Sequence, residues 1–124
     1  MIKEGHIVLF SFPYTDLSDK KLRPALVLKK LPGIFDDWLI CMISSRTHLY
    51  ISELDEIIKP GDDDFEKSRL KVQSVIRVCR LAVVESTLFE GILGEISSKR
   101  LNRIKETLAK WLLNNHKKRA SSLS

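Results

Sequence analysis

The stretch His6-Ile-Val-Leu-Phe-Ser-Phe-Pro-Tyr-Thr-Asp-Leu-Ser-Asp-Lys-Lys-Leu-Arg-Pro-Ala-Leu-Val-Leu28 contains two short apolar runs joined by a polar loop. Both runs have the length of a strand and are rich in β-branched, aliphatic and aromatic residues, which is typical of β-strands. Pro24 opens the second run, where its missing N–H does little harm, and it holds the preceding Arg23 extended. The stretch therefore predicts two strands, with an arginine held in position at the start of the second.

Similar runs recur along the chain and are separated by Pro, Gly and Asp. Pro32-Gly33 and Pro60-Gly61 have the order that a type II turn needs, because Pro presets the first central residue and Gly accepts positive φ at the second. Several short strands with few helices between them predict a mainly β fold, a small antiparallel barrel. The predicted strands are residues 6–12, 24–31, 38–43 and 75–84, with weaker signals over 51–58 and 91–96.

The first and third of these runs are apolar on both faces, which is more than one barrel interior requires. We therefore expect a helix or a second subunit to cover the outside of one strand.

From residue 97 the apolar residues follow the period of a helix, with charged residues on the other face. Ser97 or Ser98 is the predicted N-cap of one amphipathic helix that packs on the barrel. We expect residues 1–113 to form a single domain and the basic tail 114–124, which has no apolar period, to be disordered. The apolar stripe of the helix consists of Leu101, Ile104, Leu108, Trp111 and Leu112.

The net charge of +5 is unevenly distributed over the 124 residues. Residues 1–96 carry 13 Lys and Arg against 15 Asp and Glu, whereas residues 97–124 carry 8 against 1. A small basic protein suggests a nucleic-acid partner, but here the basicity belongs to the C-terminal segment, so local clusters must identify a site in the body. The apolar stretch near the N-terminus is too short for a signal peptide or a membrane span, and we expect a cytoplasmic protein without membrane contact.

Several polar residues indicate structure rather than chemistry. Cys41 and Cys79 lie among apolar neighbours without zinc or disulfide spacing, so we expect buried free thiols. The three adjacent carboxylates of Asp62-Asp63-Asp64 cannot all converge on one Mg²⁺ ion, which favours a solvated loop. His6, at a strand start, indicates a structural role. The sequence thus predicts neither a metal site nor a cofactor.

Arg23 is the first candidate for a phosphate-binding residue. Its guanidinium stays charged and can bind two oxygens at once, and its position at the mouth of a strand is fixed. The alternative is a surface ion pair with Asp16 or Asp19.

The third apolar run ends in Ile43-Ser-Ser-Arg-Thr-His48, where hydroxyls, a cation and an imidazole follow a buried strand. If the extended conformation persists, then Ser44, Arg46 and His48 share one face, which suits a phosphate. The alternative is a polar turn after the strand.

Within residues 74–84, strict alternation places Arg77 and Cys79 on one face of a strand. Arg77 has apolar neighbours on both sides, and its burial is costly unless its face opens onto a groove or a partner. The alternative is an ion pair with Glu85 or Glu95.

Taken in order, these segments and the closing helix resemble the MazF/PemK family of toxins from bacterial toxin–antitoxin systems. The resemblance covers about residues 4–113 and implies an SH3-like barrel, a homodimer and metal-independent endoribonuclease activity on single-stranded RNA. It also implies a cognate antitoxin that occludes the RNA site, with DNA contacted only through that antitoxin. The segments are Gly5-His-Ile-Val-Leu-Phe-Ser-Phe-Pro-Tyr-Thr-Asp-Leu17, Arg23-Pro-Ala-Leu-Val-Leu28, Ile43-Ser-Ser45 and Ser74-Val-Ile-Arg-Val78.

By position, the resemblance implies that Arg23, Ser44 and Arg77 are the catalytic residues. Ser44 stands where the family usually has Thr, and Arg77 matches an Arg found in part of the family. Cys79 falls where an acidic residue is common, and Gln73 falls where Pro often precedes the Ser.

The implied reaction is sequence-selective cleavage by attack of a ribose 2′-OH on the adjacent phosphorus, which gives a 2′,3′-cyclic phosphate. Guanidinium groups suit this chemistry because they stabilise the charge of the phosphorane. We expect the RNA to be held by Lys20, Lys21, Arg46, His48 and Tyr14, with His48 also a candidate proton shuttle and Tyr14 a candidate for base stacking. The alternative function is a non-catalytic SH3-like module that grips RNA or a protein, as a gyrase-poison toxin does.

Overall fold

The structure, a computed structural model, describes residues 1–11 and 22–115 of the chain. The strands within these ranges are β1 His6–Phe10, β2 Arg23–Lys30, β3 Asp37–Ser44, β4 Glu56–Ile58, β5 Ser74–Glu85 and β6 Gly91–Glu95. The helices are α1 Phe65–Ser68 and α2 Ser98–Lys110, with single 3₁₀ turns at Thr47–Leu49 and Ser86–Leu88 and a π-helical turn at Trp111–Asn115. None of the described helices is both long enough and apolar enough to cross a membrane.

The strands form one antiparallel sheet in the order β4-β5-β3-β2-β1-β6. The sheet curls into a half-barrel and carries the C-terminal helix α2, which confirms the predicted fold class. Gly33 and Gly61 both adopt positive φ, as the two predicted Pro-Gly turns require.

The weak signal over residues 51–58 gives only the short strand β4, because a buried carboxylate folds the first half of the segment into a turn. Asp55 accepts a hydrogen bond from the backbone N–H of Ile51 at 3.0 Å and donates its own N–H to the carbonyl of Ile51. Its other carboxylate oxygen accepts from the N–H of Val78 on β5 at 3.0 Å. Asp55 thus joins the turn to the sheet.

The short helix α1 follows β4 in the chain and packs against β6, at the opposite edge of the sheet. This contact requires Gly94, because a Cβ atom there would lie 2.4 Å from the carbonyl oxygen of Lys67 and 2.5 Å from that of Ser68. The missing side chain lets the backbone of α1 lie directly on β6.

Each face of the curled sheet has its own apolar core. The interior core includes Ile104 and Leu108 of α2, so the helix packs on the inside of the sheet and the expectation of a helix on its outside is wrong. On the other face Ile2 and Phe89 of the same chain pack over the buried residues, and the rings of Phe10 and Phe89 meet edge to face at 6.4 Å. This second core consists of Val8, Phe10, Ala25, Val27, Trp38, Ile40 and Val84.

Helix α2 begins at an N-cap that a distant carboxylate reinforces. The hydroxyl of Ser97 accepts a hydrogen bond from the N–H of Arg100 at 3.1 Å, as a Ser N-cap should. The carboxylate of Asp64 accepts from the N–H of Ser97 at 3.0 Å. This buried negative charge offsets the unfavourable placement of Arg100 in the first turn of the helix.

The guanidinium of Arg100 is buried and all five of its N–H donors are accepted. Asp64 receives two of them in a bidentate pair at 2.8 and 3.0 Å, and Asp62 receives a third at 3.1 Å. Glu56 and the carbonyl of Ile57 receive the remaining two at 3.0 and 3.1 Å. One side chain therefore ties α2 to β4 and to the loop that precedes α1.

The prediction of a solvated acidic loop is wrong for two of its three carboxylates, since Asp62 and Asp64 bind Arg100 and only Asp63 is exposed without such a partner among the described residues. Across the described ranges, no group of three His, Cys, Asp or Glu side chains has an arrangement that could hold a metal ion.

We predict that Gly94→Ala lowers the free energy of unfolding by about 2 kcal/mol, because the new methyl group overlaps backbone atoms of α1 that have no flexible end to move. Urea unfolding measures the loss. Ile92→Ala, a truncation at an exposed position of the same strand, should cost less than about 1 kcal/mol. Equal losses in the two variants would contradict the proposed contact.

The Asp64 carboxylate makes stability depend on pH. Burial opposes its ionisation, but hydrogen bonds from Arg100 and the amide of Ser97 outweigh burial and lower its pKa from 3.8 to about 2. Its stabilising effect, about 2 kcal/mol, is therefore complete above pH ~4 and disappears as pH falls through about 2. In acid titrations of stability, the difference between wild type and Asp64→Asn should narrow over this window. The exposed Asp63→Asn should follow wild type throughout, and a difference that stays constant with pH would refute the assignment.

Candidate functional site

A cleft of about 500 Å³ opens where β2 begins and β3 ends. It brings together Arg23 and Ser44, two of the three residues that the sequence analysis selected as catalytic. The described residues that line it are Leu9, Leu22, Arg23, Pro24, Ile43, Ser44, Ser45, Arg69, Leu70, Lys71, Val72, Ser74 and Leu93. The lining is thus mainly apolar, with hydroxyls and cations as its polar part.

Strand register places Arg77 on the same face of the sheet as Arg23 and Ser44. Ala25 lies opposite Met42, and Met42 lies opposite Arg77. Continuing the β2–β3 register by two residues sets Arg23 opposite Ser44, since antiparallel neighbours shift in opposite directions. Arg77 is then a diagonal neighbour of Ser44 on the adjacent strand, and the Cα atoms of diagonal neighbours lie about 7–8 Å apart. It does not line the cleft itself.

Both site arginines contain a buried donor without a partner among the described residues. The Nε–H groups of Arg23 and Arg77 are buried and make no hydrogen bond within residues 1–11 and 22–115. Arg77 forms no ion pair with Glu85 or Glu95, while Asp16 and Asp19, the alternative partners of Arg23, lie outside the described residues. Because a buried charged donor is costly unless it is hydrogen-bonded, these groups are suited to an anionic ligand.

Ser44 ends β3 with its hydroxyl oxygen engaged and its proton available. The oxygen accepts a hydrogen bond from the N–H of Arg46 at 3.1 Å, which leaves the O–H to donate toward a ligand. The chain then enters the 3₁₀ turn Thr47–Leu49. The expected shared face is therefore wrong: Arg46 and His48 are exposed and neither lines the cleft.

A bulge in β5 changes which residues accompany Arg77. Cys41 lies opposite Leu81 while Met42 lies opposite Arg77, so β5 contains three extra residues between these pairs. Cys79 lies within the bulge and packs against the interior core. The prediction that Arg77 and Cys79 share a face is therefore wrong, because it assumed unbroken alternation.

The thiols and His6 have structural roles. Cys41 is buried, Cys79 is half-buried, and both are free, so the expectation of full burial holds for Cys41. Burial, followed by the Asp55 carboxylate, raises the pKa of both thiols, which keeps them protonated and unreactive. His6 accepts a hydrogen bond from the N–H of Lys3 at 3.1 Å, and burial lowers its pKa.

The other predicted RNA-binding residues, Tyr14, Lys20 and Lys21, lie outside the described residues. Instead, the structure adds Arg69 and Lys71, two cations in the cleft that the sequence analysis did not select. The only local signal for them is the alternation of basic residues in Lys67-Ser-Arg-Leu-Lys71, just before β5.

A small curled β-sheet with a C-terminal helix and a cleft lined by Arg23, Arg69 and Lys71 defines the class of protein. Residues 3–112 match the family described as the PemK-like, MazF-like toxin of type II toxin-antitoxin systems, and the chain belongs to this family. The resemblance noted from the sequence is thereby confirmed.

The fold is similar to that of a solved endoribonuclease from a mycobacterial species, determined in complex with its cognate antitoxin. The TM-score is 0.62, the sequence identity is 14%, and the match covers 90% of this chain and 95% of that chain. No curated protein matches the sequence.

Replacement by Met should affect stability differently at Arg100 and at Arg77, because only Arg100 has partners among the described residues. Arg100→Met leaves Asp62 and Asp64 without their cation and should lower the free energy of unfolding by about 3–5 kcal/mol. Arg77→Met, which removes an unpartnered buried donor and keeps the volume, should leave stability unchanged or raise it. Thermal or urea unfolding distinguishes the two. A loss at Arg77 as large as that at Arg100 would mean that Arg77 has a structural partner.

Proposed function

We propose that the protein is the toxin of a type II toxin–antitoxin system and acts as a metal-independent endoribonuclease on single-stranded RNA. Family membership supports the toxin role. The observation that carries the enzymatic role is a pair of buried donors, on Arg23 and Arg77, that no described residue accepts, on the sheet face that also holds Ser44. A phosphodiester supplies the oxygens that these donors lack.

In the proposed reaction the substrate supplies its own nucleophile. The ribose 2′-OH attacks the adjacent phosphorus, the bond to the 5′-oxygen breaks, and the products are a 2′,3′-cyclic phosphate and a 5′-hydroxyl. Negative charge increases on the non-bridging oxygens as the phosphorane forms. Arg23 and Arg77 stabilise it, each preorganised donor contributing about 3 kcal/mol, and Ser44 donates its proton to the phosphate or orients the 2′-OH.

The guanidinium groups act through charge rather than as bases. A guanidinium retains its proton at neutral pH, so it is a poor acceptor for the proton of the 2′-OH. It can stabilise the leaving 5′-oxygen by hydrogen bonding as that oxygen becomes negative. His48 is exposed and outside the cleft, and we assign it no proton transfer.

The proposal includes a cognate antitoxin, a homodimer and selectivity for an RNA sequence. The structural neighbour was determined with its own antitoxin, which supports an antitoxin partner for this chain. A partner segment that covers the cleft would exclude RNA. Apolar residues beside the phosphate-binding groups, including Leu22, Val72 and Leu93, offer surfaces for bases and support sequence selectivity.

We predict that the purified protein cleaves a single-stranded RNA oligonucleotide in EDTA and leaves a 2′,3′-cyclic phosphate, detectable by mass spectrometry. Arg23→Ala and Arg77→Ala should each lower the rate about 10²–10³-fold, because each removes a donor to the transition state. Ser44→Thr should keep more activity than Ser44→Ala, since it keeps the hydroxyl.

Arg80→Ala is the matched control for Arg77→Ala, because Arg80 belongs to the same strand and is exposed. It should cleave at the wild-type rate. Cleavage that depends on Mg²⁺, or equal rates in the Arg77 and Arg80 variants, would overturn the mechanism. Growth arrest on expression with cellular RNA intact would favour the non-catalytic binding module instead.

A further inference from the structure

We propose that Arg69 and Lys71 form a second phosphate subsite, which binds an RNA phosphate next to the scissile one. This inference rests on the proposed function and assigns to its substrate a second contact point in the same cleft. Both residues line the cleft, and they come from the segment between α1 and β5 rather than from the strands that carry Arg23 and Ser44.

The first support is the charge of the cleft. Its described lining includes three cations, Arg23, Arg69 and Lys71, and not one carboxylate. Like charges that converge on one cavity raise the local positive potential and attract a polyanion. An apolar surround, which includes Leu9 and Leu70, strengthens this attraction because it excludes part of the solvent.

The second support is that these cations have no ion-pair partner in the part of the chain that the structure describes. Neither Arg69 nor Lys71 makes an ion pair within residues 1–11 and 22–115. Arg100 and Arg103 contrast with them, since each binds Glu56 through its guanidinium. Charged side chains that line a cavity and have no internal partner are free to meet a ligand.

The third support is a rigid backbone under the two cations. Ser68 is fully buried; its hydroxyl donates to the carbonyl of Phe65 and accepts from the N–H of Leu70 at 3.2 Å. Arg69, between these contacts, has the left-handed conformation with φ 62°, where a glycine is favoured at a helix end. Leu70 is buried, so its exposed neighbours Arg69 and Lys71 are held at fixed positions.

The far end of the segment is also fixed. The hydroxyl of the buried Ser74, the first residue of β5, donates to the carbonyl of Val72 at 2.9 Å. A segment anchored at Ser68 and Ser74 holds its charges with little entropic cost on binding. Such preorganisation favours a regular, extended ligand.

An adjacent phosphate fits these observations better than the scissile one. Arg23, Ser44 and Arg77 share one face of the sheet through strand register, whereas Arg69 and Lys71 reach the cleft from the loop after α1. A ligand that satisfies both groups carries more than one negative charge along its length. Single-stranded RNA has this property, since each linkage contributes one phosphate.

The test is a binding cycle with uncleavable 2′-deoxy oligonucleotides that contain one neutral methylphosphonate at a chosen linkage. For wild type, we expect one linkage other than the scissile one at which the neutral group weakens binding about tenfold. The double variant Arg69→Gln/Lys71→Gln should bind the all-phosphate strand as weakly as wild type binds the strand with the neutral linkage. A methylphosphonate at that linkage should not weaken its binding further. Its plot of log Kd against log salt should be shallower by about 0.7, the loss of one neutralised phosphate.

Lys67→Gln is the control, because Lys67 is exposed on α1 and does not line the cleft. It should keep wild-type binding and the wild-type response to every methylphosphonate. If the methylphosphonate at that linkage still weakens binding of the double variant by the full tenfold, the two losses are independent and the subsite is overturned. Cleavage of all-ribose RNA is measured separately and tests the proposed function: absence of cleavage with an intact binding cycle would reject the enzyme while retaining the subsite.

Discussion

The packing of the C-terminal helix depends on one buried guanidinium. All five donors of Arg100 are accepted, by Asp62, Asp64, Glu56 and the carbonyl of Ile57. Removing either side of such a pair leaves buried charge uncompensated, so the helix, β4 and the loop before α1 are held as one unit. Asp64 directly precedes α1, and the other end of this one-turn helix leads into Arg69. The Asp64–Arg100 ion pair and the cleft residue Arg69 are therefore connected by a single turn of helix.

This pairing also explains how a chain body with more acids than bases can present a positive cleft. Glu56, Asp62 and Asp64 are engaged by Arg100, and Glu56 by Arg103 as well. These carboxylates are thereby kept from pairing with the cleft cations. The potential at a site depends on which charges remain unpaired near it, because paired charges largely cancel at a distance. The net charge of a segment does not show which of its charges remain unpaired near the cleft.

Local patterns predicted the fold well and the contacts of the site less well. Apolar runs over β1, β2, β3 and β5 identify strands because each is buried on at least one face. Strict alternation failed in β5, where three extra residues turn Cys79 inward, and extended structure failed after Ser44, where a 3₁₀ turn begins. The role of Asp64 was not predictable, since its partner Arg100 lies 36 residues away. Such pairings depend on tertiary structure, which a local pattern does not contain.

The same residue type has two roles in this protein, and hydrogen-bond satisfaction separates them. Arg100 is buried with every donor accepted, which leaves no capacity for a ligand. Arg23 and Arg77 each bury a donor that no described residue satisfies, a cost that folding alone does not justify. Neither composition nor spacing distinguishes the two kinds, because all three arginines stand beside apolar residues. The distinction follows from the number of donors that the fold leaves unsatisfied, and this criterion supports the proposed anion site on the sheet face around Ser44.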